Sequence, residues 1–546
     1  MKIKSFTIPK KNEEIFIDPA YEDIPGLIDL NKERFQSYYF NINGIPFSQF
    51  REQVRSETLK KAGKYSDKIW ALCSNLNIAG TENISCVKDS YTPKNDIIQT
   101  GHSPALVHPG VLIKHSLVNS IAKKVNGIGI NMVIDNDAGN DNCLNIPDIN
   151  DLYSSVEKME YRPGIHNLAF EETRYVDSTQ LPTFKERILE SLHNPDMKKA
   201  FEDFMNMAIK LSGETLQFSD LFTYARYAFL TGFGINNLEV PVSHISETDS
   251  FLNYFLHITA NAKSFVRIYN AKLREYRRLK KISSKANPLP DLMEKGFVVE
   301  IPFWMWKRDE PRKSLFASVS NDSRISIICE NKIVEHFDFG GRNRSTDNLK
   351  NLERLKTLIS HGIKIRPKAI ANTMHSRMFF SDLFIHGIGG AKYDLITDEI
   401  VRAFFGVEPP EYATISATMH LPYKPFDVSK ENVNALKHVI KDMGYNPDRY
   451  ATDEIMEDTE MISLINEKKY LIAKASYDTK EKHLAFDRIK QLNGLMKDKI
   501  IPLIKMKEKE MGGLEKKIKY NSIVKNRDYP FCLYPESKLQ ELFKSS

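Results

Sequence analysis

The sequence predicts an α/β protein with a Rossmann-like parallel-sheet core, interrupted by a helical insertion and followed by a C-terminal helical coiled-coil arm. Three observations carry this. Asp96 to Asp141 reads as strand, polar turn, helix, strand and acidic loop, which is one βαβ unit. A second glycine-rich turn stands before a helix far downstream, at Phe384 to Asp394. Between the two the periodicity is mostly helical, from Ser155 to Lys281.

Within the βαβ unit, Asp96 to Gln99 is a short apolar strand that Thr100-Gly101-His102-Ser103-Pro104 breaks. His108-Pro109-Gly110 opens a helix, with proline in the first turn where its missing N–H costs nothing. Val111, His115, Val118, Ala122 and Val125 follow on one helical face. Gly127 and Gly129 end the helix, and Ile130 to Ile134 forms a strand that stops at Asp135-Asn136-Asp137. Strand ends and helix N-termini of this kind form the ligand crevice of an open parallel sheet.

The remaining chain sorts into segments around that unit. Residues 1–150 supply the first half of the core, with an amphipathic helix over Glu52 to Leu76. Residues 151–295 form the helical insertion, with helices over Phe184 to Leu192, Met197 to Leu211 and Thr248 to Lys281, and an extended break at Asn236 to Ser243. In 296–335 the period shortens to that of a small antiparallel β connecting segment, where Trp304 and Trp306 read as packing residues. Residues 336–435 complete the core, with helices at Asn348 to Ile359 and Ile396 to Phe405 and a strand at Thr414 to Met419. In 436–546 two helical segments meeting around Ser476-Tyr477-Asp478 predict a hairpin or coiled coil, with Pro502 kinking the second.

Composition bounds the function. A chain of 546 residues, 41% hydrophobic and 27% charged, reads as an ordinary globular protein of two to four domains. It has no apolar run near the roughly 20 residues of a membrane span, so no membrane partner is expected. Five scattered cysteines and an N-terminus without a hydrophobic signal core suit the cytoplasm. A net charge of +6, with basic residues interleaved among acidic ones, gives no reason to expect a nucleic-acid partner.

Candidate chemistry gathers at the two turns. His102 and His108 flank a loop containing Gly101 and Gly110, and histidine's ordinary pKa suits proton transfer near neutrality. Asp135 and Asp137 would orient an amine or hydroxyl. Gly389 and Gly390 with Lys392 repeat the anion-binding logic, exposed backbone donors beside a mobile cation. His108 and His115 stand about 10 Å apart along a helix, too far to share a zinc ion. Asp135-Asn136-Asp137 departs from a calcium loop at Gly139 and Ile146. No structural metal is expected; a magnesium ion beside nucleotide phosphates stays open.

The Thr100-Gly101-His102 turn, His108-Pro109-Gly110 with its helix, the acidic Asp135 to Asp141 strand end and Gly389-Gly390-Ala391-Lys392 together resemble the bacillithiol-biosynthesis cysteine-adding enzymes, the cysteine ligases. The likeness covers nearly the whole chain in order of parts, with close similarity in short patches. It implies a fold like that of the HIGH-motif nucleotidyltransferases and a condensation of cysteine's carboxyl group with the amine of glucosaminyl malate. It also implies ATP or another nucleotide as activator and a homodimer through the C-terminal helices. Where a His-x-Gly-His pattern would place its second histidine, Val111 stands. Two rivals accompany this reading: a nucleotidyltransferase acting on a sugar or cofactor precursor, and a dimeric scaffold without catalysis.

Overall fold

The structure, a computed structural model, describes residues 6–78, 92–139, 143–150, 154–161, 168–175, 177–319, 324–339, 344–474 and 479–545. Asp141, the Gly340-Gly341-Arg342-Asn343 turn and the Ser476-Tyr477-Asp478 junction lie outside them. The fold is mixed α/β with 56% helix. The chain divides into two compact units, one of Met1–Asp148, Val156–His420 and Arg527–Ser546, the other of Ile149–Ser155 and Leu421–Asn526.

The larger unit is organised on a six-stranded sheet. Its strands in chain order are β1 (Glu14–Asp18), β2 (Ile97–His102), β3 (Ile128–Val133), β4 (Leu238–Pro241), β5 (Leu383–His386) and β6 (Tyr412–Thr418). They lie side by side as β1-β6-β5-β2-β3-β4, all parallel except β1, which runs antiparallel along β6 from Glu14↔Thr418 to Asp18↔Thr414. The five parallel strands thus follow the order 3-2-1-4-5. The direction of winding reverses between β2 and β5, where an open α/β sheet places its ligand crevice. Thr100, Gly101 and His102, expected to break the strand, extend it, because β2 pairs with β3 as far as His102↔Val133.

Four helices set the site. Helix α1 (Phe47–Asn75) covers the β4 end of the sheet, and α2 (Pro109–Lys124) packs on the opposite part against β2, β3 and β6. Helix α3 (Phe218–Thr231) is buried along its whole length. Helix α4 (Ile388–Phe405) begins at Gly387 and stops at Gly406, whose φ of 71° is the left-handed cap that glycine takes most easily. The glycine-rich turn expected from Phe384 to Asp394 is therefore strand and helix: Gly389, Gly390 and Lys392 lie in the opening turns of α4. The helix expected over Thr248 to Lys281 is two, Asp249–Ala260 and Ala262–Leu279. At the break, the Asn261 side chain donates to His257 O at 2.9 Å, the local competition by which asparagine opposes helix.

A second, antiparallel sheet exceeds the expected connecting segment. Val298–Lys307, Lys313–Val319, Arg324–Cys329 and Lys332–Asp338 form a meander, and Ile363–Pro367 adds to the free side of Val298–Lys307. Its inward apolar residues share one core with the helices at 249–279 and with β3.

In the smaller unit, Lys430–Tyr445, Thr459–Lys474, Thr479–Lys499 and Ile501–Val524 gather around Met443, Met461, Leu464, Leu492, Met496 and Ile500. Pro502 does not kink a continuous helix. It sits in the first turn of a new one, where proline is tolerated.

Candidate functional site

A two-lobed cleft opens over the carboxyl ends of β2, β3 and β5. The inner lobe, about 240 Å³, is lined by Gly101, Met132, Phe384, His386, Gly390 and Asp394. The outer lobe, about 450 Å³, is lined by Asn136, Asp137, Glu300, Trp304, Arg312 and Lys368. Ile134, Leu289, Ala369, Ile370 and Asn372 border both lobes.

His386 ends β5 and is buried, with its Nε2 2.6 Å from Asp394 Oδ2. Asp394 in turn accepts from Arg377 Nη1 at 2.7 Å, and the same guanidinium nitrogen lies 2.8 Å from Asp398 Oδ1. Arg377 belongs to a π-helical turn, Ser376–Phe380, and also donates to Pro410 O. Burial alone would raise the Asp394 carboxyl, but Arg377 and His386 outweigh it and hold the group at about 2. Asp398 is pushed up to about 6 by burial and by Asp394, against the pull of Arg377. Burial lowers His386 while Asp394 opposes the shift, so the imidazole is neutral at physiological pH and able to accept a proton. A side chain at Gly390 would stand 2.8 Å from His386 Nδ1, so this close packing requires glycine.

The turn carrying Arg377 is itself pinned. Asp382, the residue before β5, accepts from Arg51 Nη2 at 2.7 Å and Arg55 Nη1 at 2.9 Å, both from α1, and from the Ile97 N–H at 2.8 Å. One buried carboxylate thus fixes α1, the start of β2 and the start of β5 together.

The residues singled out in the sequence meet this cleft unevenly. Gly101, Gly390 and Asp137 line it. His102 ends β2 beside it, half-buried, its Nδ1 3.1 Å from Ser103 Oγ. Burial and then the Lys114 charge lower His102 to about 3, and burial followed by Arg527 and Lys114 does the same to His108. Both are therefore neutral hydrogen-bonding groups near pH 7 rather than proton carriers, because an imidazolium there would be desolvated beside fixed cations. His108 caps α2 through its backbone, and its Nδ1 is buried without a hydrogen bond among the described residues. Gly110 faces β6: a methyl there would fall 2.1 Å from Ala417 O, so the residue serves close helix–strand packing. Asp135 is buried and committed to Ser243, accepting from its N–H at 3.0 Å and its hydroxyl at 2.5 Å. Asp137 pairs with Arg312 at 3.1 Å. Gly389 and Lys392 are exposed on α4, outside the lining of both lobes.

Several lining or adjoining residues escaped the sequence reading. Arg312 and Lys368 stand over the Trp304 ring at 5.0 and 4.1 Å, and Lys368 pairs with Glu300. Trp306 is the packing residue expected, donating its Nε1 to Glu172 at 2.9 Å, whereas Trp304 faces the cleft. His386 lies inside the glycine-rich turn expected at Phe384 to Asp394, and its signal is an imidazole eight residues ahead of an aspartate on a helix. Among the described residues no three His, Cys, Asp or Glu side chains gather to hold a metal ion, and no helix is long and apolar enough to cross a membrane.

No protein-family model matches this chain, and a search of curated proteins finds no match either.

Proposed function

We propose that this chain is an amide-forming ligase of the cysteine-adding type. It joins the carboxyl group of cysteine, or of a related amino acid, to the amine of an aminosugar conjugate, with a nucleotide activating the carboxyl group. The carrying observation is the His386–Asp394 pair at 2.6 Å on the wall of the inner lobe. An amine must lose a proton to attack a carboxyl carbon, and an imidazole oriented by a carboxylate is the usual acceptor.

The 3-2-1-4-5 strand order supports a Rossmann-like reading of the core. The backbone at Gly101 and Gly390 borders the inner lobe without side chains in the way, and α4 starts beside it, which suits a nucleotide's phosphates. A bound nucleotide would supply the leaving group. Within the chain, Asp394 holds His386 in one orientation and Arg377 keeps Asp394 ionised. Neutral His102 and His108 offer hydrogen bonds at the β2 end. Arg312 and Lys368 meet an anionic part of the aminosugar conjugate, and Asp137 sits beside them to take its amine. Lys392, exposed on α4 outside both lobes, would have to extend toward a phosphate or malate group at the cleft's rim, and Mg2+ would accompany the nucleotide. In the smaller unit, Leu484, Phe486, Leu495 and Ile501 expose apolar surface, which supports a homodimer joined by a coiled-coil arm.

The test is incubation of the full chain with ATP, cysteine and glucosaminyl malate, read by mass spectrometry. A cysteinyl conjugate is expected, reduced about 100-fold or more in His386→Gln. The shared strand order also suits a nucleotidyltransferase, and pyrophosphate release without the conjugate would favour that reading. Failure to bind any of the three compounds would leave a scaffold.

A further inference from the structure

Lys114 is a buried charged group that the amide-forming reading leaves unused. It lies in the second turn of α2 on the face against the sheet and is 4% exposed. Its Nζ donates to Gly101 O at 2.8 Å. The reason that carbonyl is free lies in the register. Pairing between β2 and β5 runs through Ile98↔Leu383 and Gln99↔Phe384 and then stops, with Thr100 Oγ1 donating to Ile385 O at 2.8 Å just beyond. The two strands part at the switch point, and Lys114 fills the gap.

One carbonyl occupies one of three ammonium protons. Among the described residues, the charged and titratable groups that interact with Lys114 are His102 on β2, His108 at the helix cap, His115 on its own helix, Arg226 on α3 and His386 on β5. None is an anion, and the carboxylates beside them are already paired, Glu239 with Arg226 at 2.9 Å and Asp394 with Arg377 at 2.7 Å. A buried ammonium without a counter-charge is strongly disfavoured. Gly387, which caps the eighteen-residue α4, lies against the lysine stem: a side chain there would stand 3.9 Å from Lys114 Cδ. The positive end of α4 therefore lies beside the lysine stem.

We infer that Lys114 is the anion-binding group of the switch point, and that the ligand's own carboxylate or phosphoryl group supplies the missing counter-charge. The inference needs no amide chemistry, so it stands or falls separately from the ligase reading. It carries a proton signature. Burial, and then Arg226, lower the free ammonium to about 7. An anion raises it again, so binding above that pH takes up a proton, while below it the proton is already present.

The experiment is isothermal titration of the full chain at pH 8 with sulfate and with succinate, each in two buffers of different ionisation enthalpy. Neither anion changes its own protonation there. The expected result is that one of them binds with uptake of close to one proton. Lys114→Met weakens that binding about 10- to 100-fold, and Lys114→Arg keeps it without proton uptake. Preference for sulfate identifies a phosphoryl ligand, preference for succinate a carboxylate. The inference is overturned if neither anion binds, if Lys114→Met binds as wild type does, or if wild type binds without taking up a proton. Should Lys114→Met not fold, wild type against Lys114→Arg still decides through the proton count.

Discussion

Replacing Asp394 with asparagine removes the charge that links His386 to Arg377 while keeping the side chain's shape. The Asp394 carboxyl is held at about 2 against an ordinary 3.8. At about 1.36 kcal/mol per unit, that difference is worth about 2–3 kcal/mol at neutral pH. Arg377 keeps Asp398 in the variant, so the loss should fall short of the roughly 3–5 kcal/mol of a fully orphaned buried charge. The sign follows from the direction of the shift. A carboxyl depressed on folding adds stability that is present above its unfolded pKa and disappears as the pH drops through its folded one. Urea unfolding should therefore show Asp394→Asn about 2–3 kcal/mol less stable at pH 7, with the gap narrowing below pH 4. Imidazole NMR should show His386 titrating lower still, because Asp394 opposes the burial that depresses it. Equal stability at pH 7, or a gap of the same size at pH 3, would refute this account of the charge chain.

Two further perturbations probe the frame around the cleft. Gly110→Ala drives a methyl to 2.1 Å from Ala417 O and 2.3 Å from Arg527 Nη2, and overpacking of that kind should cost about 1–3 kcal/mol or more, seen as a lower melting temperature. Asp135 is raised to about 7 by burial and by Glu171, against the Ser243 hydrogen bonds. A carboxyl raised on folding favours the folded state at low pH and loses that advantage as pH climbs through its folded value. Asp135→Asn should thus gain on wild type as the pH rises from about 4 to 7 in chemical unfolding and hold that margin above, and curves that stay parallel across that window would sink the assignment.

The βαβ unit was legible because its signals are local. Pro109 at a helix start and the glycines at 127 and 129 act on their own neighbourhood. Strand order was not, since β1 and β6, or β2 and β5, pair across hundreds of residues and nothing in either segment names its partner. Leu238–Pro241 appeared only as an extended break in a helical region, yet it closes one edge of the main sheet. Phe384 to Asp394 looked like a turn because glycine is rare inside helices, but glycine at the first positions of α4 costs little and gives His386 room. Lys114 was invisible for a different reason: a lysine on a helix normally reaches for water. Only the parting of two strands, a tertiary feature, makes a buried lysine useful. Asp135 misled in the other direction, its acidic strand end being an anchor for Ser243.

The excursion of residues 421–526 from the larger unit has a consequence for how the protein is made. The segment returns on itself, with the Leu421 N–H bonded to Val524 O at 3.0 Å, and the chain then rejoins the larger unit. There Phe531 N–H bonds to Val107 O at 2.8 Å and Arg527 reaches Ser416 Oγ at 2.8 Å. During synthesis, the loop between His102 and His108 must therefore wait for more than four hundred further residues before its backbone partner at Phe531 exists. The smaller unit, whose contacts lie largely within about a hundred consecutive residues, can close first. A chain truncated after residue 526 should carry a folded helical unit and an unfinished switch-point loop, a stage at which the nascent protein calls for chaperone shelter.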